Sequence, residues 1–163
     1  VRRGVLWAMV PLNLLLLVWV WMGRFAFGVG GWLLLILLPV VAVLGIGLLV
    51  TSILAFTQDG RDPDGRRTLT GLQVWSQLLV WVGMLGFGLF VPDFGDTEDS
   101  VQSSLTKLFG YSDGLISTSF VIALAFGLLT VVTYLALLVA LISANRRGRR
   151  TAVGVGVDVG GAA

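Results

Sequence analysis

The sequence predicts an all-α membrane protein, a four-transmembrane-helix bundle with a short amphipathic helix in the outer loop. Three observations carry that expectation. Residues 4–23, 25–58, 68–92 and 114–145 contain no charged side chain, and a helix of about 20 residues crosses a hydrocarbon core roughly 30 Å thick. Hydrophobic residues make up 56 % of the 163 and charged residues 12 %, too apolar a balance for a domain that must face water on all sides. Lys and Arg gather at alternate ends of the runs, the asymmetry that orients loops across a bilayer.

The first span, 5–22, follows Arg2 and Arg3. It exceeds the apolar region of a cleaved signal peptide, roughly 7 to 15 residues, and no A-x-A-like site follows, so it reads as a retained anchor. Asn13 falls at its middle. An unpaired carboxamide is costly there, so a partner across the bundle is expected. The second uncharged run is too short for two crossings and a turn, and predicts one span, 32–56, with a short lead-in. Pro39 lies in its first two turns and removes a backbone donor, which bends the helix. The lead-in Gly28-Val29-Gly30-Gly31 lacks the Lys-Ser/Thr of a phosphate-binding loop.

In the third span, 69–91, Gln73, Ser76 and Gln77 stand at i, i+3 and i+4 and share a face, which Gly83 continues. Polar contacts between helices are the plainer reading of that face, and a wet vestibule is the alternative. The fourth span is 115–144. Small residues recur every fourth position at Gly47, Thr51 and Ala55, at Ser119, Ala123 and Gly127, and at Ala136, Ala140 and Ala144. Such faces let helix backbones approach closely. Together residues 1–145 form one membrane domain.

Between the second and third spans, residues 59–67 alternate charges around Gly and Pro and predict a hairpin turn. Its cations anchor the turn at the interface and suit contact with anionic lipid headgroups. The loop 92–114 is acidic, with Asp93, Asp96, Glu98, Asp99 and Asp113. Val101, Leu105, Leu108 and Phe109 form a helical stripe within it, with Asp96 expected to cap the start and Gly110 the end. Its acids lack the spacing of a calcium loop, and no metal site is assigned to them. Residues 146–163 open with a basic stop-transfer cluster, and the Gly-rich remainder is expected to be disordered.

With the N-terminus cytoplasmic, nine cations fall inside and two, Arg24 and Lys107, outside. That bias predicts both termini in the cytoplasm of a cell whose plasma (inner) membrane holds the chain. Ten of the eleven cations are Arg, and Gly, Ala and Val abound, the signature of a GC-rich, bacterial coding sequence. These cations sit at the ends of apolar runs and not on one folded face, which argues against nucleic acid as a partner.

The chain contains no Cys and no His. Thiolate nucleophiles, imidazole relays and sulfur- or imidazole-bound metals are excluded. No Asp, Glu, Lys or Arg falls inside a predicted span, so a proton relay through a buried carboxylate or a Schiff-base Lys has no candidate. No catalytic, cofactor-binding or metal residue is assigned, and no cofactor is expected. The candidate intramembrane polar contacts are Asn13, Gln73, Ser76 and Gln77. These features predict a non-catalytic subunit or scaffold of a membrane complex, its partners the lipid bilayer and either another membrane protein or further copies of itself. The alternative is an oligomeric small transporter or passive pore lined by Asn13 and the Gln73/Gln77 face. An intramembrane enzyme ranks last, because no nucleophile has an activating neighbour.

Overall fold

Apolar stretches of this length bury their backbone polarity within their own helices, the solution lipid imposes. The computed structural model describes residues 2–58, 67–94 and 101–157, with side chains through Arg147. Four helices are long and apolar enough to span a membrane. They are α1 (Arg2–Met22), α2 (Leu33–Thr57), α3 (Gly71–Phe90) and, after a short α4 (Ser104–Phe109), α5 (Asp113–Val157). A 3₁₀ turn, Gly23–Phe27, closes α1 and ends on Gly28, whose φ of 68° is left-handed. Pro11 lies inside α1 and Pro39 inside α2. α3 begins with a capping box in which Thr70 accepts from the Gln73 N–H and the Gln73 side chain accepts from the Thr70 N–H.

Around the bundle α2 packs on α1, α1 on α3 and α3 on α5, the last being the closest pair, while the α2–α5 seam that completes the ring is the loosest. The buried positions of α1, Val5, Leu6, Met9, Asn13, Leu16 and Val20, follow helical periodicity and face this interior. Two apolar clusters fill it. One joins Leu6 and Met9 to Val74, Leu137 and Leu141; the other joins Leu16 and Val20 to Leu37, Leu48, Val80 and Met84. α3 and α5 approach closely at Gly83, where a Cβ would lie 2.2 Å from Thr130 Oγ1 and 3.0 Å from the Phe126 carbonyl. Most of the small-residue faces are consumed in such contacts: Thr51, Ala55, Ser119 and Ala123 are buried, and Gly47 lies against the Tyr134 ring.

Two departures from the sequence expectations have physical causes. α4 starts at Ser104 and not near Asp96: Ser103 caps it, accepting from Thr106 N–H while Thr106 Oγ1 accepts from Ser103 N–H. Its apolar side chains Leu108 and Phe109 point outward and Ser104 and Thr106 inward, as suits a helix resting on lipid. Of the Gly-rich tail after the basic cluster, expected to be disordered, residues 151–157 continue α5 as helix; the Arg of the cluster before them are good helix formers and no Pro interrupts the run. Residues 158–163 lie outside the described residues. So do most of the 59–67 turn and the acids Asp96, Glu98 and Asp99. Arg67, at the end of that turn, donates to the carbonyl of Phe56.

Candidate functional site in the membrane interior

α1, α2 and α3 meet at Asn13, near the middle of the bundle. Asn13 Oδ1 accepts from Trp81 Nε1 at 2.8 Å and from Gln77 Nε2 at 3.1 Å. Asn13 Nδ2 donates to Ser52 Oγ at 3.3 Å, and Ser52 Oγ donates to the Leu48 carbonyl at 2.7 Å. One carboxamide thus ties three helices together. Asn13 faces α3 because it continues the Leu6, Met9, Leu16 stripe, and Gln77 and Trp81 meet it because residues four apart share a helix face. Gln77 is fully buried, and its Oε1 accepts no hydrogen bond. A cavity of about 60 Å³ lies beside the cluster, lined by Asn13, Ser52, Val10 and Leu48 among others, enough room for ordered water.

A second cluster stands one turn nearer the end where Arg2, Arg3, Arg67, Arg146 and Arg147 gather. Gln58 and Gln73 exchange amide hydrogen bonds, Gln73 Nε2 to Gln58 Oε1 at 3.0 Å and Gln58 Nε2 to Gln73 Oε1 at 3.2 Å. Gln73 Oε1 also accepts from the Thr70 N–H at 2.9 Å, and Gln73 Nε2 reaches the Ala140 carbonyl at 3.4 Å. Helix start, helix end and α5 are joined at one buried residue. Ser76 is buried on the same face but outside both hydrogen-bonded sets.

The structure therefore brings Asn13 and Gln77 together, places Gln73 in a separate cluster, and leaves Ser76 in the packing. Sequence reasoning missed Ser52, Gln58 and the donor role of Trp81. Gln58 had a signal: it ends one span just as Gln73 begins the next. Chemically, carboxamides, a hydroxyl and an indole offer hydrogen bonds and no proton transfer near neutral pH. Interhelical bonds of this kind contribute roughly 0.6 to 2 kcal/mol each in a membrane.

The opposite end holds a further surprise. Arg24 and Asp93, both about 2 % exposed, form an ion pair with Arg24 Nη2 3.7 Å from Asp93 Oδ2. Arg24 Nη2 also donates to the Trp21 carbonyl, and Asp93 Oδ1 accepts from the N–H groups of Leu33 and Phe94 at 3.0 and 2.9 Å. Arg24 Nη1 and Asp93 Oδ2 make no hydrogen bond. Gly31 is needed beside them, since a Cβ there would lie 2.2 Å from the Phe94 carbonyl and 2.8 Å from Asp93 Oδ1. The lead-in glycines thus serve close approach. By sequence Arg24 is one of two cations on the outer side; in the structure it is the counter-charge that lets Asp93 cap α2 and pin the loop after α3. The only hint in the sequence is that opposite charges stand just beyond the same ends of the first and third spans.

Among the described residues no group of three or more Asp and Glu could hold a metal ion. Comparison with protein-family models, curated proteins and solved structures finds no match.

Proposed function

We propose that this chain is a non-catalytic subunit or scaffold of a membrane complex, and that it docks a partner helix along the α2–α5 seam. One observation carries the reading. The α2–α5 seam is the loosest of the helix contacts that close the bundle; at the arginine-rich end Asn145 Nδ2 closes it by donating to the Leu54 carbonyl at 3.3 Å, and Tyr134 against Gly47 stands at the border of the opening. Toward the other end it opens into two adjoining apolar clefts of about 650 and 240 Å³ that share Val40 and Leu44. Pro39 borders the larger, and Gly127 and Thr130 the smaller. Small residues along a groove favour close helix approach in lipid. The bilayer contact of the four apolar helices is common to every reading.

An oligomeric transporter or pore has less support, because Asn13, Ser52, Gln77 and Trp81 spend their donors on protein acceptors and not on a path. We assign the chain to the plasma (inner) membrane of a bacterium, with both termini cytoplasmic, on the nine-to-two distribution of cations. A reporter fused after Ala163 that is active outside the cytoplasm would overturn that orientation.

The docking test is a photo-crosslinking residue at Val43, which lines the seam, against one at Val82, which is exposed on α3. A subunit yields a stoichiometric product of one size from Val43 alone, in mild detergent at native expression. Products from neither site, together with a monodisperse homo-oligomer that makes liposomes leaky, would replace this reading with the pore.

A further inference from the structure

We propose that the groove between the start of α3 and the last membrane turns of α5 is a binding site for one anionic phospholipid, apart from the α2–α5 seam. Of the three small-residue series, the one at Ala136, Ala140 and Ala144 is not buried against another helix: Ala136 is exposed and the other two are half-buried. These residues form the floor of a groove of about 640 Å³ with Leu72, Leu135 and Val139 on its walls. From Ala136 to Arg147 the groove follows α5 for about 16 Å at 1.5 Å per residue, close to the roughly 15 Å depth of one leaflet's hydrocarbon. That length suits an acyl chain lying along α5.

The mouth of the groove supplies the charge. Arg147 and Thr70 line that end, and Arg2 reaches over it, its Nη2 3.9 Å from where a Cβ of Gly71 would stand. Arg3, Arg67 and Arg146 belong to the same end, where the nine Arg of residues 2–3, 61–67 and 146–150 outnumber Asp59, Asp62 and Asp64 of the turn between α2 and α3; Asp93 and Asp113 stand at the other end. Both α1 and α3 begin there and α2 ends there, so the helix dipoles add a net positive end to the arginine field. A phosphate headgroup with net negative charge meets cations at the mouth while its acyl chain fills the apolar floor. A zwitterionic lipid gains the floor without the net charge.

Native mass spectrometry of the whole protein tests this, after detergent extraction and incubation with equimolar phosphatidylglycerol and phosphatidylcholine. The expected result is one retained phosphatidylglycerol per chain, preferred over phosphatidylcholine about thirtyfold, the scale set by two interfacial cations. Arg2→Gln with Arg147→Gln abolishes the preference. Ala136→Phe fills the floor and lowers retention of the bound lipid, with Ala136→Leu as the milder variant at this exposed position. Lys107→Gln, which removes a cation at the opposite end, leaves retention unchanged, and far-UV circular dichroism confirms folding of each variant. Equal retention of both lipids overturns the proposal. So does loss in the Arg double variant with none in Ala136→Phe or Ala136→Leu, which would mean diffuse charge attraction without a groove. A wild-type dimer split by Ala136→Phe at constant lipid preference would overturn it in favour of a second copy.

Discussion

α2 is the most apolar of the four spanning helices and α3 the least, yet 50 % of the apolar stretch of α3 is buried in the protein against 17 % of that of α2. In water the order would be reversed. Lipid is the solvent here, so an apolar side chain gains little by leaving it for another helix, while Gln73, Ser76, Gln77 and the glycines of α3 gain partners and close contact inside. α3 therefore becomes the hub, touching α1 and α5 along its length. α2 stays at the rim with Val43, Ile46, Leu49 and Ile53 facing out. Polarity and smallness, and not hydrophobicity, mark the inside of this protein.

That contrast can be broken in graded steps. The largest effect is expected just beyond α3, at Asp93→Leu, which leaves Arg24 buried without a counter-charge and strips an acceptor from the Leu33 and Phe94 N–H groups. Removing one partner of a buried pair costs about 3 to 5 kcal/mol, to be read from SDS-induced unfolding in mixed micelles. Arg24→Met with Asp93→Leu should cost less than the two single changes summed. A loss under about 1 kcal/mol at Asp93→Leu would show that the pair does not hold the α2 lead-in to the loop after α3.

Next comes Gly83→Val, whose added carbon meets Thr130 and the backbone of Phe126. Overpacking of about 1 to 3 kcal/mol is expected, seen as a lower melting temperature in detergent. A stability equal to wild type would mean that α3 and α5 are less tightly apposed than described. Asn13→Leu should cost about 1 kcal/mol, since Gln77 and Trp81 lose an acceptor while the leucine packs; an additive double variant with Gln77→Leu would deny that the two are coupled. Smallest of all, Ile53→Ala on the outward face of α2 should change stability by less than about 0.5 kcal/mol. A cost as large as that of Gly83→Val would show that this face is covered in the purified state, and would move the docking surface around α2.

Much of this was legible beforehand. The span limits fall within a few residues of the helices except at the end of α5, which runs on to Val157, because an uncharged run and its flanking charges record the thickness of the hydrocarbon directly. Asn13, Gln73 and Gln77 stood out for the same reason, as polar groups where lipid penalises them. Their partners did not. Ser52 stands in a run whose one marked face was that of the small residues Gly47, Thr51 and Ala55, Gln58 offered only its place at the end of that run, and Trp81 gave no sign of its partner, Asn13, whose Oδ1 lies 2.8 Å from its Nε1. Arg24 and Asp93 are 69 residues apart in sequence, and only the adjacency of α1 and α3 makes them a pair.

What the sequence by itself determined was the solvent, the number of crossings and the polar positions needing partners, since each follows from the local cost of placing a charge or amide in hydrocarbon. Which helix neighbours which, and so which polar group meets which, was decided only in three dimensions. Lipid rewards all apolar faces about equally, so the order of helices rests on side-chain fit and on a few hydrogen bonds between residues far apart along the chain.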